Sequence, residues 1–288
     1  MSAASVAEVE VGASTEPARE YRPKKRWTRF LLPTYSTAFI LYLSFPIFII
    51  ILFSFNDSRT GFGTAPRVST AWLGFTTRWY QNLFEIPDLT KALEHSLTVA
   101  LLGAISAAIL GTLIGLALAR YRYRGKGATD FVIFLSISSP EIVLGAALAS
   151  FFVSANFDRG LITLYLSHTM FSIAFVAVVV RARASGLDRA LEDAAMDLGA
   201  GPLVTFLKVT LPLVFPGILA GFFLAFALSM DDFVISQFTQ GPATMFPTWV
   251  FGSTRVGIPP HVFAFATIIF VTGATLALAL ALTQRRRG

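Results

Sequence analysis

Six long stretches of this chain carry almost no charge, and they limit its possible folds more than any other feature. They run over 30–55, 96–119, 131–154, 161–180, 213–235 and 262–284. A hydrocarbon core of about 30 Å takes about 20 apolar residues of helix, and inside it every backbone polar group must be satisfied within the segment. The sequence therefore predicts an all-α integral membrane protein with six transmembrane helices over 30–284. Hydrophobic residues make up 55% of the 288 and charged residues 14%, which excludes an ordinary soluble core. The chain has no cysteine, so structural disulfides and thiolate metal sites are excluded as well.

The net charge of +6 does not point to nucleic acid, because the basic residues flank the apolar spans and act as topology signals. With six spans both termini share a side. Taking that side as cytoplasmic puts 17 of the 23 Lys and Arg residues inside. They are Arg19, Arg22, Lys24, Lys25, Arg26 and Arg29 before span one; Arg120, Arg122, Arg124 and Lys126 after span two; Arg181, Arg183, Arg189 and Lys208 between spans four and five; and Arg285, Arg286 and Arg287 at the end. Residues 1–29 lack an apolar core and helical periodicity, so they read as a disordered basic cytoplasmic tail rather than a cleaved signal, and 285–288 as a short basic tail.

Between spans four and five lies a segment of mixed polarity over 186–212. Leu191, Ala194, Ala195 and Leu198 fall at helical spacing on one apolar face, with Glu192, Asp193 and Asp197 away from it. Gly199 and Gly201 break this helix. Pro202 suits the first turn of a second, whose Leu203, Phe206, Leu207 and Leu211 form another stripe before Pro212 ends it. Two short cytoplasmic helices meeting at a glycine elbow make a docking element, where an ordinary interfacial hairpin is the plainer alternative.

The run Asp193-Ala194-Ala195, three residues, Gly199, nine residues, then Val209-Thr210-Leu211-Pro212 resembles the EAA loop of ABC-type importer permeases. Asp193 stands where that family usually has Glu, and Val209 where Ile is common. The resemblance implies a coupling helix seated in a cleft of a cytoplasmic ATPase, with Glu192, Asp193, Ala194, Ala195, Asp197, Gly199 and Pro212 as the coupling residues.

Within the spans, ionisable groups are costly and normally face a cavity or a partner. Glu141 lies about 15 Å into span three, after Ser138, Ser139 and Pro140, where a kinked helix leaves backbone groups in need of partners. Asp231 and Asp232 lie near the outer end of span five, either on the path or simply meeting water or Arg255. His168 in span four reads as a path residue or as a bond to a neighbouring helix. Gly103, Ala107, Gly111 and Gly115 in span two have the spacing for close helix packing. The outer loop from Asn56 to Thr90 presents Trp72, Phe75, Trp79, Tyr80 and Phe84, which suit a lipid-headgroup belt or contact with an external partner.

Carboxylates at two depths favour a cationic cargo. Four segments, WYQNLF at 79–84, RYRYRGK at 120–126, SPEIVLG at 139–145 and LSMDDFVISQFTQGP at 228–242, resemble those of spermidine/putrescine importer permeases of the PotC/PotI type. Related permeases for an aminophosphonate, ferric ion or thiamine share much of the pattern. The resemblance implies a bacterial plasma-membrane assembly with a homologous second permease, two ATPase subunits and an extracytoplasmic solute-binding protein. ATP and Mg would sit on the ATPase, and no cofactor on this chain. The sequence agrees with that division. It has no GxxxxGK[ST] phosphate loop, no HExxH and no recognisable nucleophile and base, and its three histidines are scattered at 95, 168 and 261. A secondary transporter acting alone is the rival, but it would need no docking loop, and no inverted repeat is visible.

Overall fold

The computed structural model describes residues 28–58, 67–69 and 71–285. The tails expected over 1–29 and 285–288 lie outside the described residues, apart from 28, 29 and 285. Every regular element among the described residues is a helix, with one isolated antiparallel bridge between Asn56 and Phe75. By internal packing the chain divides after Ile50. The first unit holds most of α1 (Thr28–Phe53), whose 26 residues include Pro33 and Pro46.

The second unit is organised around α3 (Pro87–Arg120), α6 (Leu161–Ser185) and α9 (Leu211–Asp231), which pack on one another. Helices in lipid gain no hydrophobic advantage by associating, so close backbone packing decides where they meet. The small-residue ladder of α3 provides it. A Cβ on Gly111 would lie 2.7 Å from Val176 Cβ, inside contact distance, so only glycine permits this approach of α3 to α6. Ala104, Ala107, Leu116, Val176, Val180 and Val214 are buried around the same seam.

Span three differs from the single kinked helix expected over 131–154. It is two helices, α4 (Lys126–Ser138) and α5 (Glu141–Ser154), bent by 108°. Pro140 has no N–H to continue the helix, and it forces the preceding Ser139 into extended backbone at φ −70°, ψ 134°. The segment therefore breaks instead of kinking. Among the described residues four helices are long and apolar enough to cross a membrane, and the bent pair makes a fifth if it is one span. The final helix α12 (Pro260–Arg285) has a shorter apolar part, Pro260–Thr275.

Pro212 does not end the second helix of the elbow. The short helices α7 (Ala190–Asp197) and α8 (Pro202–Thr205) are followed by a π turn over Phe206–Thr210, which runs straight into α9 with Pro212 in its first turn. The proline ring would crowd the carbonyl four residues back in a regular helix, and the wider π turn accommodates it.

In the loop between α1 and α3, Asn56 donates Nδ2–H to Ala71 O at 2.8 Å and accepts the Leu73 N–H at 2.7 Å. Trp79, in the one-turn helix α2 (Arg78–Gln81), donates Nε1–H to Asn56 O at 2.8 Å and sits edge-on to His261. Trp79 is buried and unavailable as a belt residue, because its indole N–H is anchored inside the loop. Trp72, Phe75 and Phe84 stay exposed.

Candidate functional site

The elbow is built by two local devices. At the start of α7, Asp188 Oδ1 accepts the Ala190 N–H at 3.0 Å, and Glu192 and Asp193 in the first turn suit the positive end of the helix dipole. At its end, Gly199 takes a left-handed φ of +86°. This lets the Gly199 and Ala200 N–H groups turn back to Met196 O and Ala195 O, at 2.9 and 3.1 Å. The chain then reverses into Pro202, which starts α8.

Exposure reveals which way this elbow faces. Leu198 is 90% exposed and Leu203 70%, and Leu191, Ala194 and Leu207 are exposed with them. Of the first apolar stripe Ala195 is half-buried, and of the second Phe206 and Leu211. The elbow thus leaves several of its apolar side chains open. Asp193 and Asp197 are exposed too, whereas Glu192 turns inward. Its Oε1 lies 3.4 Å from Arg120 Nη2 and accepts the Thr210 hydroxyl at 2.9 Å.

The carboxylates expected in the spans separate into two kinds. Glu141 is the first residue of α5, exposed at the 108° break. Asp231 is exposed at the end of α9 and lines an open hollow of about 430 Å³ with Met230, Phe233, Phe246 and Phe251. Neither forms an ion pair with another described residue. Asp232, by contrast, is buried and folds back on α10 (Val234–Thr239) instead of reaching Arg255. It accepts the N–H groups of Ile235 at 3.2 Å and Ser236 at 2.8 Å, and the Ser236 hydroxyl at 3.0 Å.

His168 joins the same network. Its Nδ1 lies 2.7 Å from Ser229 Oγ, and its Nε2 lies 3.1 Å from Ser236 Oγ and 3.5 Å from Asp232 Oδ2. Because the Ser236 hydroxyl hydrogen goes to Asp232, the Nε2–H tautomer of His168 completes the relay, with Nδ1 accepting from Ser229. The network ties α6, α9 and α10 together inside the chain. Among the described residues no group of His, Asp and Glu has the arrangement of a metal site.

Sequence reasoning missed Arg120, Thr210, Ser229 and Ser236 as members of these networks. Ser229 and Ser236 lie three residues before and four after Asp232, a spacing that would have placed all three near one helix break. Arg120 was legible only as a topology charge, because its partner Glu192 is 72 positions away in sequence.

Helices long and apolar enough to cross a membrane, an elbow with exposed leucines and two exposed carboxylates among the described residues define a membrane-embedded protein. Residues 107–287 match the family described as binding-protein-dependent transport system inner membrane component, and the chain belongs to that family. It is 41% identical over 236 residues to the putrescine transport system permease protein PotI of Escherichia coli (strain K12), across 79% of this chain and 81% of that one. It is 39% identical over 258 residues to the spermidine/putrescine transport system permease protein PotC of the same strain, across 89% and 95%. Among solved structures, a chain of a bacterial ABC transporter involved in the import of the acidic polysaccharide alginate matches with a TM-score of 0.63 at 14% identity, covering 93% of this chain and 99% of that one. The inward-facing MetNI methionine ABC transporter matches with a TM-score of 0.54 at 18% identity, covering 69% and 94%. At these identities the structural likeness is one of fold.

Proposed function

We propose that this chain forms half of the translocation path of an ATP-driven importer of spermidine or putrescine in a bacterial plasma membrane. The observation that supports this most is the likeness of 39–41% to two polyamine permeases over about four fifths or more of the chain. Exposed carboxylates at Glu141 and Asp231, the latter beside phenylalanine rings, suit a cationic cargo that trades hydration for charge and ring faces.

In this reading six spans place both termini and the elbow in the cytoplasm, as the distribution of Lys and Arg favours. A homologous second permease completes the path, two ATPase subunits hold ATP and Mg, and an extracytoplasmic binding protein delivers cargo. Leu198 and Leu203 seat the elbow in the ATPase, with Asp193 and Asp197 at its rim. ATP-driven closure of the ATPase pair displaces α7. Because α6 and α9 flank the elbow in sequence, the displacement tilts them and opens the path outward, and hydrolysis resets it. Glu141 and Asp231 line the path, while Asp232 and His168 hold its walls.

Uptake of labelled spermidine and putrescine into proteoliposomes tests the assignment, using this chain, its co-purifying subunits and the binding protein, with and without ATP. ATP-dependent uptake competed by other polyamines is the expected result. Stimulated ATP hydrolysis without uptake rejects the cargo, and uptake by the chain alone rejects the importer.

A further inference from the structure

The last residue of α3 and a carboxylate of the elbow meet in a half-buried clamp that the coupling scheme above does not use. Arg120 is the last residue of α3, and its side chain is only 10% exposed. Its guanidinium is shared between two partners. Nη2 lies 3.4 Å from Glu192 Oε1 in α7, Nη1 donates to Leu187 O at 3.3 Å, and Nε is buried without a partner. The Arg120 backbone carbonyl in turn accepts Nη2–H of Arg189 at 2.7 Å. The same Glu192 oxygen accepts the hydroxyl of Thr210, the last residue of the π turn that leads into α9.

α7 itself packs chiefly against α8 and the π turn, so these side chains are what bind it to α3. We propose that Arg120, Glu192 and Thr210 form a transmission clamp that delivers the stroke of the elbow to α3 as well as to α6 and α9. In this role Glu192 is a positioning residue acting within its own chain rather than a contact for the ATPase. The proposal rests on the importer reading.

Three features favour a working joint over a static brace. A largely enclosed ion pair resists separation, since removing Glu192 strands the Arg120 charge, so the pair moves as one body with α7. A hollow of about 300 Å³, lined by Arg120, Glu192, Asp193, Phe206 and Thr210, lies beside the clamp and gives it room to shift. The π turn is a local departure from regular helix of a kind found at functional sites, and Thr210 of the clamp is its last residue before α9. A push on α7 therefore reaches α3 through Arg120 and α9 through Thr210. Those two helices are the ones packed with α6 in the core, so all three respond to one displacement.

The test uses the complete transporter in proteoliposomes with binding protein and ATP, and reads putrescine uptake and ATP hydrolysis in the same sample. Three variants are compared: Glu192→Ala, Arg120→Ala and the double variant. Thr210→Val is a milder fourth that leaves the ion pair in place. Uptake per ATP is expected to fall about tenfold in each alanine variant, with the double variant no worse than the more severe single, and by less in Thr210→Val. Uptake and hydrolysis falling together at an unchanged ratio overturns the clamp, as does an unchanged ratio with both activities intact. A wild-type complex that hydrolyses ATP but takes up no putrescine rejects the cargo assignment instead, so the two failures are distinguishable.

Discussion

Gly115 and Ala177 touch backbone to backbone: a Cβ built on Gly115 would stand 2.6 Å from the Ala177 carbonyl oxygen, and 3.1 Å from the amide nitrogen of Arg181. A main-chain neighbour cannot rotate away as a side chain can. Gly115→Ala must therefore push α3 off α6, at a cost of about 1–3 kcal/mol for overpacking. The expected outcome is a Tm several degrees lower for the detergent-solubilised protein, with normal membrane insertion. An unchanged Tm would show that the seam is looser than this distance implies.

Asp232 offers a second stability test. It satisfies two backbone N–H groups at the start of α10 and the Ser236 hydroxyl, all buried. Asp232→Ala leaves these donors without acceptors, at about 1–3 kcal/mol for a stranded buried group. Asp232→Asn keeps one carbonyl oxygen and is expected to lose less. Thermal unfolding of the two variants should rank them in that order, and equal losses would mean that the charge rather than the bonding geometry matters.

The parts of this fold legible in the sequence are those set by local pattern. Four of the six apolar runs, those in α1, α3, α6 and α9, the glycine elbow at Gly199 and the start of α8 at Pro202 each depend on a few adjacent residues, and each is found as a helix or turn where it was expected. The 108° break at Pro140 was read as a kink, because sequence reveals the missing N–H but not how far the following helix swings. Continuation through Pro212 was missed for a related reason, since a π turn has no compositional signature. The site residues divide the same way. Glu141 and Asp231 could be named from charge in an apolar run. That Asp232, its immediate neighbour, turns inward toward His168 depends on a contact 64 residues away in sequence.

Leu198 presents 90% of its surface in the elbow and Leu203 70%, so the described residues leave both largely uncovered. Leu198→Asp places a charge where the ATPase cleft is proposed to close. The variant is expected to insert and accumulate normally, because no intrachain packing is lost, while the co-purifying ATPase falls about tenfold, the scale of a single apolar hot spot. Undiminished co-purification would remove Leu198 from the interface.

Neutralising the exposed carboxylates tests the path itself. Glu141 and Asp231 are both open, and neither is paired with a described residue, so Glu141→Gln and Asp231→Asn should leave folding and assembly as they are. If each meets an ammonium group of the cargo, its loss removes a charge-assisted hydrogen bond, which corresponds to about tenfold in the half-saturating concentration for uptake. The two effects should multiply in the double variant if the groups act independently along the path, and merge if one ammonium visits both. Binding-protein-stimulated ATP hydrolysis provides the control, because it depends on docking and coupling and not on cargo held between the spans. A half-saturation that stays at the wild-type value in the double variant, with hydrolysis also unchanged, would place the cationic path elsewhere in the assembly and leave both carboxylates as solvent-facing groups at helix ends.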